Sequence, residues 1–121
     1  MDFNLSGLSS AKRSLESERV KVLILGAGPA GMSAALYAAR AELAPVVLTG
    51  TALGGQASLT HVIENYPGFP EGVGGLELGE LFQKQAERFG ARFEFDTATS
   101  VDLSKRPFTV KTYSKEYLAD V

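Results

Sequence analysis

Cysteine is absent from this chain, and histidine occurs once, at His61. Without thiols the 121 residues hold no disulfide framework, no thiolate metal site and no dithiol redox centre. A lone imidazole with no acidic cluster around it in sequence cannot build a metal site. His61 therefore reads as a loop or surface residue, and no metal ligand is assigned. Excess charge is also lacking: 12 Lys and Arg against 14 Asp and Glu leave a formal charge of −2. That balance, with no basic stripe, predicts no nucleic-acid partner. No apolar run approaches the roughly 18 residues that span a bilayer. The first residues, "MDFNLSGLSSAKRSLESERV", lack the apolar core of a signal peptide. No membrane partner is expected, and the expected location is cytoplasmic. Glu71, Glu77, Glu80 and Glu87 read as solvated faces. No carboxylate pair is spaced as acid and base, and no residue is assigned as catalytic.

What is present is apolar and glycine-rich. Hydrophobic residues make up 45% of the chain and charged ones 21%, an ordinary balance for one globular domain at this length. Residues 1–19 read as an exposed leader. "VKVLIL", Val20 to Leu25, reads as a strand buried on both faces. "GAGPAG" follows, then a helix over Pro29 to Glu42 whose small residues let it lie close to the sheet. Pro45 ends the helical stretch, and "PVVLT" is a second strand, so the opening is β-turn-α-β. Gly50 to Gly74 is a Gly- and Pro-rich loop with a short turn of helix after Gly55. Loops this long are uncommon and tend to be functional, and its apolar residues argue for order. A helix over Gly75 to Phe89 follows, with Leu78, Leu81, Phe82, Gln85 and Phe89 on one stripe. "ARFEFD" is a strand. Three short strands, Thr99 to Leu103, Phe108 to Tyr113 and Glu116 to Val121, form an antiparallel meander.

Gly26, Gly28 and Gly31 stand between a predicted strand and a predicted helix, the context that makes the G-x-G-x-x-G pattern meaningful. A pyrophosphate needs donors, and the first turn of a helix offers unpaired N–H groups and a positive dipole end. In the general account of this motif the first glycine turns the chain, the second lets backbone approach phosphate, and the third lets helix pack on strand. Pro29 stands near the helix start, where a missing N–H costs least. The acid expected at the end of the second strand to hold a ribose is missing; Thr49-Gly50 stands there.

These residues resemble the thioredoxin reductase family, the low-molecular-weight NADPH-dependent flavoproteins, from about Val20 to Val121. "ILGAGPAGMSAALYAARAEL" is similar to the family's FAD-binding opening. "PVVLTG", "GGQ", "IENYPGFP", "FDTATSVDL" and "RPFTV" are similar to family segments in the same order. The family also carries Thr-Gly where other dinucleotide folds carry an acid. The resemblance implies an FAD-type Rossmann-like α/β domain in ββα layers, a parallel sheet with a small antiparallel meander. It makes residues 20–121 the N-terminal part of an FAD/NAD(P)-binding domain. It implies FAD, with the pyrophosphate at Gly26, Gly28, Pro29, Ala30 and Gly31. Thr49, Gly50, Gly54, Gly55 and Gln56 would follow the cofactor, Asn65 would lie near the flavin, and the main chain at Ala98 would read the adenine edge. The family's NADPH domain, with its Cys-x-x-Cys, is not in this sequence, and "YLADV" breaks off where the family continues. The expectation is a segment incomplete at its C-terminus and inactive alone. The full-length enzyme would be a homodimer that binds NADPH outside this chain and reduces thioredoxin or a similar protein disulfide. Alternatives are the same segment of a dithiol-lacking flavoprotein, such as a ferredoxin-NADP reductase of this architecture, or a non-catalytic nucleotide-binding redox module. A plain NAD(P) domain is disfavoured by Thr49-Gly50 and the long loop.

Overall fold

The computed structural model describes residues 15–121. Most of the expected leader lies outside the described residues. In chain order the elements are β1 (Glu16–Val20), β2 (Leu23–Leu25), α1 (Pro29–Arg40), β3 (Val46–Leu48), α2 (Gly75–Arg88), β4 (Arg92–Glu94), β5 (Ala98–Asp102), β6 (Phe108–Thr112) and β7 (Lys115–Ala119). A one-turn 3-10 helix, Gly55–Leu59, lies between β3 and α2.

The expected strand over Val20 to Leu25 is two strands, and the first begins at Glu16, inside the stretch read as leader. Alternation in "ESERV" is weak, so nothing local marks it as a strand. Its partner does: β1 runs parallel to β7, from Glu16 beside Lys115 to Val20 beside Ala119. Backbone bonds continue past β1, where Asp120 N–H donates to Val20 O (3.1 Å) and Val121 N–H to Lys21 O (3.1 Å).

β2, β3 and β4 form a parallel sheet in that order. β1, β7, β6 and β5 form the second sheet, whose β5, β6 and β7 are the antiparallel meander. One core lies between the parallel sheet and the helices, built on Met32, Ala35, Ala39, Val47 and Ala86. The other lies between the parallel sheet and the meander, built on Val20, Val46, Leu48, Val110 and Tyr117. β3 is buried on both faces because strands flank it and cores cover it. β2 is not: Leu25 is 50% exposed. It stands at the margin of the described three-stranded sheet, so the burial expected of it belongs to β3 instead.

α2 also departs from its expected stripe. Its buried residues are Gly75, Leu78, Gly79 and Ala86, while Leu81 and Phe89 are each 40% exposed. Small residues face inward because the helix lies almost on the loop backbone. A Cβ at Gly79 would stand 3.2 Å from Gly54 Cα, and one at Gly75 would stand 2.0 Å from Ala57 O.

Candidate cofactor-binding site

The parallel ladder extends past the strand ends and so holds the loops at their carboxyl edge. Gly26 N–H donates to Leu48 O (2.9 Å), Thr49 N–H to Glu94 O (2.9 Å) and Gly50 N–H to Asp96 O (3.0 Å). In open α/β sheets this edge is where ligands bind.

The three glycines of the turn answer to different constraints. Gly26 has φ of 110°, a conformation that side-chain-bearing residues avoid, and it reverses the chain out of β2. Gly31 lies on the helix, where a Cβ would come within 2.0 Å of Gly26 O. Gly28 has an ordinary extended backbone, and a Cβ there would meet nothing within 4 Å. No protein atom requires glycine at that position, and the space its Cβ would enter is open.

Gly28 is the N-cap residue of α1, Pro29 its first helical residue, and no side chain caps it. Its first intrahelical bond is Met32 N–H to Gly28 O (2.9 Å). The N–H groups of Ala30 and Gly31 precede that bond and are donors of the kind that take phosphate oxygens. Gly54 closes the glycine turn from the other side: its N–H donates to Ala27 O at 3.0 Å. A Cβ at Gly55 would stand 3.1 Å from Gly28 Cα. The 3-10 turn is locked by Ser58, whose hydroxyl donates to Gly55 O (2.7 Å). A two-residue bridge, Ile63 with Val73, pins the rest of the long loop.

Two cavities flank the glycine turn. The larger, about 670 Å³, is lined by Pro29, Thr60, Val62, Asn65, Tyr66 and Phe82, among others. Its size falls in the usual range for small-molecule sites. Tyr66 is 41% exposed, and it meets Phe82 edge-on with ring centroids 5.4 Å apart. The smaller, about 210 Å³, is lined by Gly26, Thr49, Gly50, Asp96, Thr97 and Ala98, with Leu25 and Leu48. The turn runs from one cavity to the other, so an elongated ligand with two bulky ends and a charged middle fits the arrangement.

Of the expected site residues, Gly26, Thr49, Gly50 and Ala98 meet at the small cavity. Pro29 and Asn65 meet at the large one. Gly28, Ala30, Gly31, Gly54 and Gly55 form or support the turn between them. Gln56 is exposed on the 3-10 turn and lines neither cavity. Thr49 is buried and its hydroxyl donates to Gly50 O (3.1 Å). Thr60, Val62 and Phe82 were not anticipated; they are distributed over a loop and a helix with no shared spacing. Asp96 and Thr97 were legible in principle, since they follow a strand neighbouring β3 at the carboxyl edge of the sheet.

The family described as pyridine nucleotide-disulphide oxidoreductase matches residues 20–120. The chain belongs to this family. Among curated members it is 47% identical over 117 residues to "Thioredoxin reductase 1, mitochondrial" of Arabidopsis thaliana, covering 93% of this chain and 31% of that protein. It is 52% identical over 100 residues to the thioredoxin reductase of Vibrio cholerae, covering 83% of this chain and 31% of that protein. Among solved structures, thioredoxin reductase from Gloeobacter violaceus superposes with a TM-score of 0.81 at 36% identity, over 84% of this chain and 32% of that one. The Giardia duodenalis enzyme gives 0.79 at 37% identity, over 85% and 34%. The chain therefore spans about a third of the length of the relatives it matches. Family membership implies an oxidoreductase setting and a flavin cofactor. No helix among the described residues is long and apolar enough to cross a membrane.

Proposed function

We propose that this chain is the FAD-binding segment of a thioredoxin-disulfide reductase, in which electrons pass from NADPH to FAD, then to a dithiol, then to a protein disulfide. NADPH and the dithiol belong to parts of the enzyme beyond these residues, and thioredoxin or a similar disulfide protein is its partner. A homodimer and a cytoplasmic location follow from the same family reading, although a mitochondrial relative is among the matches. When bound, a flavin supplies the two-electron chemistry, and the protein binds, orients and tunes it.

The chain's own part is binding. Ala30 and Gly31 N–H groups would hold the pyrophosphate over Gly28. Thr49, Gly50 and Ala98 would surround the adenosine. Pro29, Thr60, Asn65 and Tyr66 would line the flavin end, and Gly54 and Gly55 would keep the cradle shut from below. Gln56 is retained as a contact to the ribityl side on the family resemblance alone. No side chain is proposed as a nucleophile or proton donor.

The observation that carries this reading is the open space above Gly28, bordered by helix donors and flanked by two cavities. The test is to purify the 121-residue chain with FAD, remove free cofactor and record the visible spectrum. Retained flavin absorption at one cofactor per chain is expected. A folded but colourless protein would defeat the claim that these residues suffice to hold FAD.

A further inference from the structure

At the end of the parallel sheet opposite the glycine turn, two guanidinium groups share one aromatic ring. Arg40 is the last residue of α1 and Arg88 the last of α2. Both guanidiniums lie over the ring of Phe89, the residue that caps α2, at 5.8 Å and 5.2 Å from its centroid. Neither forms an ion pair among the described residues. Helix dipoles favour cations at these two ends, but that attraction leaves the planar donors of the side chains unspent. A ring holds a guanidinium by its charge, and the N–H groups at the edge remain open to acceptors.

Beside this cluster is a cavity of about 410 Å³, within the usual range for small-molecule sites. The turns that follow the two helices form part of its wall, through Leu43 and Ala44 after α1 and Gly90 after α2. Val20 and Val46 line it with buried apolar surface. Its charged side chains are Glu18, Arg19, Lys21 and Arg92. Glu18 is committed to Arg92 and Lys115. Arg19 is tied to Asp120 (2.7 Å) in a pair exposed on both sides, the kind that is worth little and exchanges easily. Lys21 forms no ion pair among the described residues. Against Arg40, Arg88 and Lys21 stand Glu42 and Glu87, and the Glu87 carboxylate already accepts from the Gln83 amide (2.7 Å). This end therefore combines an excess of positive charge, two guanidinium forks on one ring and an apolar hollow beside them.

We propose that it is a binding site for a small organic phosphate: the Arg40 and Arg88 guanidiniums take the phosphate oxygens, and the cavity takes the body of the ligand. A guanidinium fork matches two phosphate oxygens at once. A dianion gains more from several cations than a single carboxylate does, and the hollow rewards a ligand with an apolar part. The site shares no residue with the glycine turn and does not depend on the FAD reading.

Phenyl phosphate is the probe, titrated calorimetrically into the 121-residue chain, with inorganic phosphate and benzoate as comparisons. It is expected to bind with a dissociation constant on the order of 1 mM or below, and about threefold or more tighter than either comparison. To keep the glycine turn out of the measurement, the titration is repeated in Gly28→Val, where the affinity should be unchanged. Arg40→Gln and Arg88→Gln should each weaken binding about tenfold, the scale of one charge-assisted hydrogen-bond pair. Arg88→Lys keeps the charge without the fork and should weaken it about threefold. Phe89→Leu keeps apolar bulk without the ring and should weaken it about as much. All three side chains are exposed, so melting temperatures should stay near wild type. No binding by wild type, loss of binding in Gly28→Val, or full affinity in both glutamine variants overturns the proposal. Benzoate binding as tightly as phenyl phosphate overturns it too. A chain that takes phenyl phosphate but no FAD supports this site while the FAD reading fails, and the reverse result does the opposite.

Discussion

Gly28 and Gly31, three positions apart in sequence, answer to different constraints. Gly31 is required by the protein itself, since a methyl group there would collide with Gly26 O. Gly28 is required by nothing in the protein, because its Cβ direction is open. Opposite phenotypes are therefore expected. Gly31→Ala should lower unfolding free energy by about 1–3 kcal/mol, the usual cost of forcing a group into filled space. Gly28→Val should leave the melting temperature near wild type and abolish retention of FAD, because the branched side chain fills the phosphate position. A thermal melt and a flavin spectrum on each variant separate the two. Retained FAD in Gly28→Val would remove the turn from the site. At this scale much was legible. The motif predicted the glycine turn between a strand and a helix, and Asn65 and Ala98 each line a cavity beside it. Phe82 and Thr60 were not legible, because a cavity wall formed by a helix and a loop has no sequence period.

At the scale of elements, α2 shows how a sequence stripe can mislead. Large apolar residues suggested one buried face, but the helix turns glycine and alanine inward, because only they allow it to lie against the Gly54 loop. Leu78, at 3% exposure, is the large residue that remains fully buried, and Leu81 is 40% exposed. Leu78→Ala should cost about 2–5 kcal/mol, as for other buried leucines. Leu81→Ala should cost about 1 kcal/mol or less. Urea unfolding of the two variants decides between the stripe and the observed face, and equal costs would restore the stripe. Gly79→Leu should destabilise as well and should also weaken FAD binding, because it pushes α2 off the loop at Gly54, which lies beside the glycine turn. β1 was not legible for a related reason. A strand with a weak pattern is made by its partner, and β7 lies about a hundred positions later.

At the scale of the whole molecule, the meander is fastened to the parallel sheet by charge as well as by the apolar layer. Glu18 on β1 pairs with Arg92 on β4 and with Lys115 on β7 (3.1 Å), and Arg92 also meets Glu94 (3.2 Å). The hydrogen bond from Arg92 lowers the Glu18 carboxyl; burial opposes it, and Lys115 adds to the lowering. For Asp96, which fastens the meander turn to the end of β4 through the Ser114 hydroxyl, burial raises the carboxyl but hydrogen bonds from Ser114 and Thr112 outweigh it, so it is lowered too. Both carboxyls have lower affinity for protons folded than unfolded. Their stabilisation is therefore fully present above the ordinary values of 4.5 for Glu18 and 3.8 for Asp96, and is lost as pH falls through the folded values. Melting temperature should fall between about pH 4.5 and pH 2, and the slope should be shallower in a Glu18→Gln, Asp96→Asn double variant. An unchanged slope would mean that other carboxylates carry the acid response. Added salt should shrink the Glu18 part first, since that network is partly exposed and screened.

The amino-acid sequence by itself determined the β-turn-α-β opening, the alternation of elements after it and the glycine turn between β2 and α1. Those depend on local rules: glycine where φ is positive or space is needed, a continuous apolar run for β3, and strand lengths set off by turns. The tertiary structure alone decided which strand would be buried on both faces, which face of α2 would turn inward, and that Asp96, Ser114 and Gly50 would meet. Each of those outcomes depends on a partner distant in the chain, and burial and carboxylate charge take their values only once that partner is in place.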